Sequence, residues 1–250
     1  VGTLTRDGDE RLSFRYDLGW IEHSRPAISV SLPLKKEPHG HASAASFFAN
    51  LLPDGAARQR VCAKLGISVD NDFALLAAIG GECAGALSLL PPGESPTLGP
   101  GEYERIDQSI IDELSEPDAV VPLLVGGATT RMSLAGAHDK LPVFVDGGEL
   151  YLPSMQAPST HILKVGQHAL EHVPENEALT TWFAEALGLE VPEVALWPTS
   201  RRSLLLVSRY DRVRDDAGRV RRLHQEDMCQ ALGLPPNRKY EIEGGPSLSR

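Results

Sequence analysis

The chain opens with apolar and polar residues in alternation. Runs at 1–5 and 12–16, separated by an Asp7-Gly8 turn, and a third at 27–32 each have the period of two that predicts a β-strand. The period then lengthens. Phe47, Phe48 and Leu51 fall on one side of residues 44–51, as on a helix. Asp54 stands where an N-cap would open a second helix over 55–65, and Gly66 where a left-handed residue would close it. Asp70 or Asn71 begins a third helix, which runs to Ile79 and ends at Gly80-Gly81. Residues 84–90 read as one more strand.

Residues 91–101, Pro-Pro-Gly-Glu-Ser-Pro-Thr-Leu-Gly-Pro-Gly, have the composition of a linker and divide the chain into 1–90 and 102–250. Beyond it, strands are predicted at 103–106, 141–145, 149–152, 162–165, 193–197 and 204–209, the second and third joined through Asp146-Gly147-Gly148 as a hairpin. Helices are predicted at 108–114 and 175–187. On the longer one Ala178, Leu179, Trp182, Phe183, Ala186 and Leu187 make an apolar stripe that predicts a buried face, and Gly188 is placed to end it. This succession is that of an α+β fold.

Composition narrows the picture. Hydrophobic residues make up 42% and charged residues 23% of 250, the balance of a globular chain. The 34 acidic residues outnumber the 24 lysines and arginines, which argues against a DNA-binding surface of its own. The one basic run, from Arg212 to Arg222, is interrupted by Asp215 and Asp216 and reads as a solvated hairpin. Cys62, Cys83 and Cys229 have neither disulfide nor zinc spacing, so a reducing, cytoplasmic setting is expected. No apolar run reaches membrane-spanning length and no leader opens the chain. Both ends read as cut, because Val1 already lies within a predicted strand.

Candidate chemistry centres on Arg131-Met132-Ser133-Leu134-Ala135-Gly136-Ala137-His138-Asp139-Lys140-Leu141, small residues around one glycine, ending in a lysine before a strand. Such a loop lets backbone N–H groups approach a phosphate, although most small-residue turns are only turns. Lys140 is either the end of that loop or a solvated charge opening a strand. Lys164 shares a strand face with Ile162, and is either a rigidly held phosphate ligand or a lysine guarding a sheet edge. His168 and His172 are four apart, but Pro174 follows and no H-E-x-x-H is present, so no metal is assigned. No G-x-S-x-G elbow exists.

These residues, with several others in fixed order, resemble the HipA family of bacterial toxin kinases. Ser133 to Leu141 is similar to its S-x-x-G-A-x-x-K-L loop, and Thr160-His161-Ile162-Leu163-Lys164 to its T-H-I-x-K strand. Val173-Pro174-Glu175-Asn176-Glu177 resembles its V-x-x-N-E helix start, and Gln225-Glu226-Asp227-Met228-Cys229-Gln230 its Q-E-D-M-C-Q segment. Leu234-Pro235-Pro236, Lys239-Tyr240-Glu241, Gly244-Gly245-Pro246 and the amino-terminal Asn50-Leu51-Leu52-Pro53-Asp54 fit as well.

The resemblance implies a small α/β accessory domain at 1–90, then the 91–101 linker. A truncated kinase-like domain at 102–250 would follow: a small lobe of antiparallel sheet with a helix, and the start of a helical large lobe. It implies a serine/threonine protein kinase that moves the ATP γ-phosphate to a protein hydroxyl with Mg2+. This would be the toxin of a type II toxin–antitoxin pair linked to persistence, with an aminoacyl-tRNA synthetase as substrate. A helix-turn-helix antitoxin would be the partner, DNA would be met only through it, and no membrane would be involved.

By the same resemblance Ala135, Gly136, Ala137, His138, Asp139 and Lys140 hold nucleotide phosphates and Lys164 is the nucleotide-phosphate lysine. Ser133 is the autophosphorylation site, where added negative charge would repel ATP. Leu206-Val207-Ser208-Arg209-Tyr210-Asp211-Arg212 resembles the V-E-R-F-D-R segment lining adenine, with serine for glutamate and tyrosine for phenylalanine. Ser208, Arg209 and Tyr210 are therefore adenine-site candidates; the plainer reading is a buried strand ending in a charged hairpin. Glu177 could pair with the kinase lysine, but a helical wheel sets it opposite the apolar stripe, toward solvent. In the family the catalytic aspartate and metal ligands lie beyond Gly-Gly-Pro, so residues 1–250 are expected to transfer no phosphate and to supply no metal ligand. The alternative is a non-catalytic module that binds an antitoxin or a nucleotide.

Overall fold

The computed structural model describes residues 1–94, 102–116, 140–154, 157–164 and 171–247. The architecture is α+β. Strands β1 (Gly2–Arg6) and β2 (Leu12–Tyr16) form an antiparallel hairpin that buries Leu12, Phe14 and Tyr16 on one face. Helices α1 (Leu18–Glu22), α2 (His41–Ala49), α3 (Gly55–Leu65) and α4 (Asp72–Ile79) follow. Phe47, Phe48, Leu52, Leu75 and Leu76 close a core against the hairpin. Gly66 ends α3 at φ +66°, where a side chain would be strained. Asn71 caps α4 by accepting from the Ala74 N–H at 3.0 Å.

Two expected strands are absent. Residues 27–32 form only a bridge between Ser29 and Leu32. Their polar groups are taken up elsewhere: Tyr16 Oη donates to the Leu32 carbonyl at 2.5 Å and accepts from the Ile28 N–H at 3.0 Å. Residues 84–90 are irregular, with Gly85 at φ +75°, and Leu87 and Leu89 pack on the amino-terminal core instead of entering a sheet.

The second unit is a six-stranded antiparallel sheet. Its strands are β3 (Tyr103–Arg105), β4 (Lys140–Asp146), β5 (Glu149–Pro153), β6 (His161–Lys164), β7 (Val194–Trp197) and β8 (Leu204–Ser208), ordered β3-β5-β4-β6-β8-β7. Side-chain alternation gives it two distinct faces. Leu141, Val143, Leu163, Leu204 and Leu206 point one way and are buried with Ile111 and Leu114 of α5 (Gln108–Leu114). Lys140, Lys164 and Leu205, aligned across β4, β6 and β8, point the other way.

Helix α6 (Val173–Ala186) packs beside β7 and β8, but not as its apolar stripe predicts. Leu179, Phe183 and Leu187 are 63%, 65% and 66% exposed, whereas Pro174 and Ala178 are buried. A helical wheel shows which face is apolar, not which face meets the sheet. The difference carries Glu177 inward.

The hairpin of β9 (Arg212–Arg214) and β10 (Val220–Arg222) then returns to the amino-terminal unit. Arg212 is buried and Arg222 half-buried, so the solvated hairpin expected from the charge pattern is solvated only toward its tip. Last comes α7 (Met228–Leu232), opened by a capping box in which Asp227 and Gln230 satisfy each other's backbone N–H. It docks on α2: Gln230 Nε2 donates to the Phe47 carbonyl at 3.2 Å, and Ser31 Oγ donates to the Gln230 carbonyl at 2.6 Å. Asn50 Nδ2 donates to the Leu234 carbonyl at 2.9 Å. Among the described residues no helix is long and apolar enough to cross a membrane.

Candidate functional site

On the antiparallel β4–β6 ladder, Lys140 lies directly opposite Lys164. Facing like charges destabilise a sheet, by roughly 0.2–1 kcal/mol, unless something negative sits over them. Part of that charge is met by α6, where Glu177 Oε1 accepts from Lys164 Nζ. Lys239 and Asp54, 3.6 Å apart, enter the same field from the carboxy-terminal segment and the start of α3. Burial, then the nearby Lys164 and Lys239, push the Lys140 ammonium below its ordinary value, against the pull of Asp54 and Glu177. Among the described residues three lysines and two carboxylates meet here, in a chain whose net charge is −10. Chemically this is a rigid seat for an anion, with one lysine oriented by a carboxylate.

Ser208, Arg209 and Tyr210 leave the end of β8 beside this ladder, and their side chains diverge. The Ser208 N–H donates to the Glu193 carbonyl at 2.8 Å and the Arg209 N–H to the Thr160 carbonyl at 3.0 Å, which fixes the backbone. Tyr210 is 73% exposed, leaving its ring free to cover a ligand. Arg209 is buried and turned the other way. Its Nε and Nη2 donate to the two oxygens of Asp211 at 2.9 and 2.7 Å, and its Nη1 donates to Glu82 Oε1 at 3.2 Å.

Glu82, just beyond α4, is the hub of this second cluster. Besides Arg209 it accepts from Arg212 Nη2 at 2.8 Å, Arg222 Nη2 at 2.6 Å and Ser159 Oγ at 2.8 Å. Burial pushes its carboxyl up, but Arg212, Arg222 and Arg209 together outweigh burial and hold it below its ordinary value. Asp211 behaves likewise: burial raises it, while Arg209 and Arg212 and the Gly85 N–H at 2.7 Å bring it down. Sequence reasoning assigned no role to Glu82, read Asp54 as an N-cap and Lys239 only as part of a family-like segment, and set a pairing of Glu177 with the kinase lysine against a helical wheel that turned it to solvent. The glutamate directly after Gly80-Gly81 offers no periodic signal, because its partners lie up to 140 residues away.

The loop candidates Ser133, Ala135, Gly136, Ala137, His138 and Asp139 lie outside the described residues. A cleft of about 1390 Å3 opens elsewhere, between β1, residues 86–94, Tyr103, Phe144 and the β9–β10 hairpin. Its size does not make it the chemical site, for neither Lys140 nor Lys164 lines it.

Two family models match the chain: the HipA N-terminal domain over residues 1–90 and the HipA-like C-terminal domain over 132–249. Both family domains are thus represented, which amends the expectation of an amino-terminal portion alone. The Sinorhizobium fredii protein “Putative kinase Y4mE” is 42% identical over 99% of this chain and 60% of its own length. The serine/threonine-protein kinase toxin HipA of Shewanella oneidensis is 33% identical over 98% of this chain and 56% of its own length. A solved complex of HipA, HipB and operator DNA from Shewanella oneidensis MR-1 holds a chain that superposes with a TM-score of 0.78. That chain is 30% identical, with 100% of this chain and 57% of that one covered. The chain therefore spans about 60% of the length of these relatives. Two domain models in family order, full-length superposition and the lysine–glutamate pairing between strand and helix lead to one conclusion: the chain belongs to the HipA family of kinase-like proteins.

Proposed function

We propose that residues 1–250 form the nucleotide-holding part of a serine/threonine protein kinase that serves as the toxin of a toxin–antitoxin pair. The observation that carries this reading is the cross-strand Lys140–Lys164 pair with Glu177 bound to Lys164. A strand lysine oriented by a helix glutamate is the arrangement with which protein kinases hold nucleotide phosphates. The facing lysines fit a polyphosphate. ATP would be held by Lys164 and Lys140 at its phosphates, with Ser208 and Tyr210 beside the adenine. The Ala135-Gly136-Ala137-His138-Asp139 loop would lie over the phosphates and Ser133 would be the regulatory phosphosite. Arg209 belongs to this site through its backbone, since its side chain is engaged with Glu82 and Asp211.

When bound, ATP supplies the phosphoryl group, and the protein's share is to position it and neutralise its charge. Mg2+ would accompany the phosphates, but no group of three or more His, Cys, Asp or Glu side chains able to hold a metal occurs among the described residues, so none is assigned to it. The acceptor would be a protein hydroxyl, with an aminoacyl-tRNA synthetase as substrate. A helix-turn-helix antitoxin would bring the DNA contacts, a reading supported by the HipB-bound relative.

The test is calorimetric titration of Mg-ATP into the full natural protein. Lys164→Met should weaken binding by roughly ten- to a hundredfold, the value of one charge-assisted contact, without changing the far-ultraviolet circular dichroism. Equal affinity in variant and wild type would return Lys164 to a sheet-edge role. Absence of γ-phosphate transfer by residues 1–250, beside transfer by the full protein, would separate the nucleotide-holding part from the catalytic whole.

A further inference from the structure

We infer that Glu82, on the amino-terminal unit, is a positioning residue for the adenine half of the nucleotide site, acting through Arg209. This deepens the nucleotide reading above and rests on it.

Residues 208–210 are held by the sheet through two backbone N–H groups and, in addition, from the amino-terminal unit through the Arg209 side chain. The ladder of β8 ends at Ser208, and Tyr210 is largely solvent-exposed. Between them Arg209 is anchored on all three of its guanidinium nitrogens. Nη1 donates to Glu82 Oε1 at 3.2 Å and Ser159 Oγ at 3.0 Å, and Nη2 donates to Asp211 Oδ2 at 2.7 Å and the Cys83 carbonyl at 3.0 Å. Nε completes the set on Asp211 Oδ1 at 2.9 Å. Two of these acceptors, Glu82 and the Cys83 carbonyl, belong to the segment that follows α4.

That segment is itself clamped to the same strand exit. The Gly85 N–H donates to Asp211 Oδ2 at 2.7 Å and the Gly85 carbonyl accepts from Arg212 Nη1 at 2.9 Å. A Cβ at Gly85 would lie 3.0 Å from the Gln225 backbone, so the turn admits no bulk there. Glu82 also binds the Ser159 N–H at 3.1 Å, one residue before Thr160, whose carbonyl holds the Arg209 N–H. One carboxylate therefore ties the residue pair that leads into β6, through Ser159, to the exit of β8, through Arg209. A buried carboxylate ringed by arginines is costly to assemble and is weak evidence for stability in itself. Its position argues for registry instead: it sets where Ser208 and Tyr210 stand relative to Lys164, four residues along β6 from Thr160.

The positions of phosphate and adenine ligands then depend on different residues, and that gives the test. In the full natural protein, ATP and inorganic tripolyphosphate are titrated separately into wild type, Glu82→Gln and Lys164→Met. Glu82→Gln should weaken ATP by about tenfold and leave tripolyphosphate within about twofold, whereas Lys164→Met should weaken both. Should the single glutamine variant fail to fold, Glu82→Gln with Arg222→Gln keeps the cluster's net charge and carries the same expectation. ATP affinity unchanged in a folded Glu82 variant overturns the inference, and so does an equal loss for ATP and tripolyphosphate, which would mark a general structural role. Wild-type protein that binds neither ligand would sink the nucleotide reading itself, a result distinct from both.

Discussion

At the scale of single residues, Lys140 is where the proposed binding role opposes stability. Its folded-state value is depressed, so the unfolded chain holds that proton more tightly. Its charge therefore opposes folding at neutral pH, and stability rises as pH climbs from the folded value toward 10.5. Lys140→Met should raise the stability of the ligand-free protein by about 0.2–1 kcal/mol, flatten that alkaline rise and weaken ATP. Denaturant melts across pH, with and without nucleotide, measure all three; a loss of ligand-free stability would show that the facing lysines are not in conflict. Lys164 was legible in the sequence because a period of two names its face directly. Glu177 was not. Its inward turn depends on how α6 lies on the sheet, which no property of the helix alone determines.

At the scale of elements, local signals served well where the partner was near in sequence. The β4–β5 hairpin and the Gly66 stop follow from turn and capping chemistry within a few residues. Residues 27–32 and 84–90 have the same alternation, yet their backbones bind a tyrosine hydroxyl and an aspartate rather than a neighbouring strand. For α6 the consequence is measurable. Phe183→Ser in residues 1–250 should change stability by no more than about 0.5 kcal/mol, as at an exposed position, where a buried phenylalanine would cost about 3–5 kcal/mol. Asp227→Ala, by contrast, removes half of a capping box at a docked helix and should cost about 1 kcal/mol in the same melts.

At the scale of the whole molecule, two hydrophobic cores are joined by buried charge. Neither composition nor periodicity points to such a joint, because Glu82 meets its arginines across 127 to 140 residues. Glu82→Ala should cost about 3–5 kcal/mol by stranding the arginines in the interior. Glu82 and Asp211 are both depressed below their ordinary values of 4.5 and 3.8. Their contribution is therefore complete above those values and lost as pH falls through the folded ones. Denaturant melts at neutral pH, followed separately by Trp20 in one unit and Trp197 in the other, should give coincident transitions. Transitions that separate at neutral pH would mean that the charged joint couples nothing.

The docking of α7 on α2 also has a consequence in time. Ser29, Ser31 and Asn50 each donate to a carbonyl at residue 230 or 234, some 140 residues after the first unit has been synthesised. At ordinary elongation rates that interval is roughly 10–30 s, during which the young amino-terminal unit must keep those groups solvated and its α2 surface uncovered. Ribosome-bound chains halted near residue 90 should accordingly be cut rapidly by added protease, and chains halted after residue 247 should resist. Biosynthesis itself thus delays the closing of this contact until nearly all of this sequence has been made.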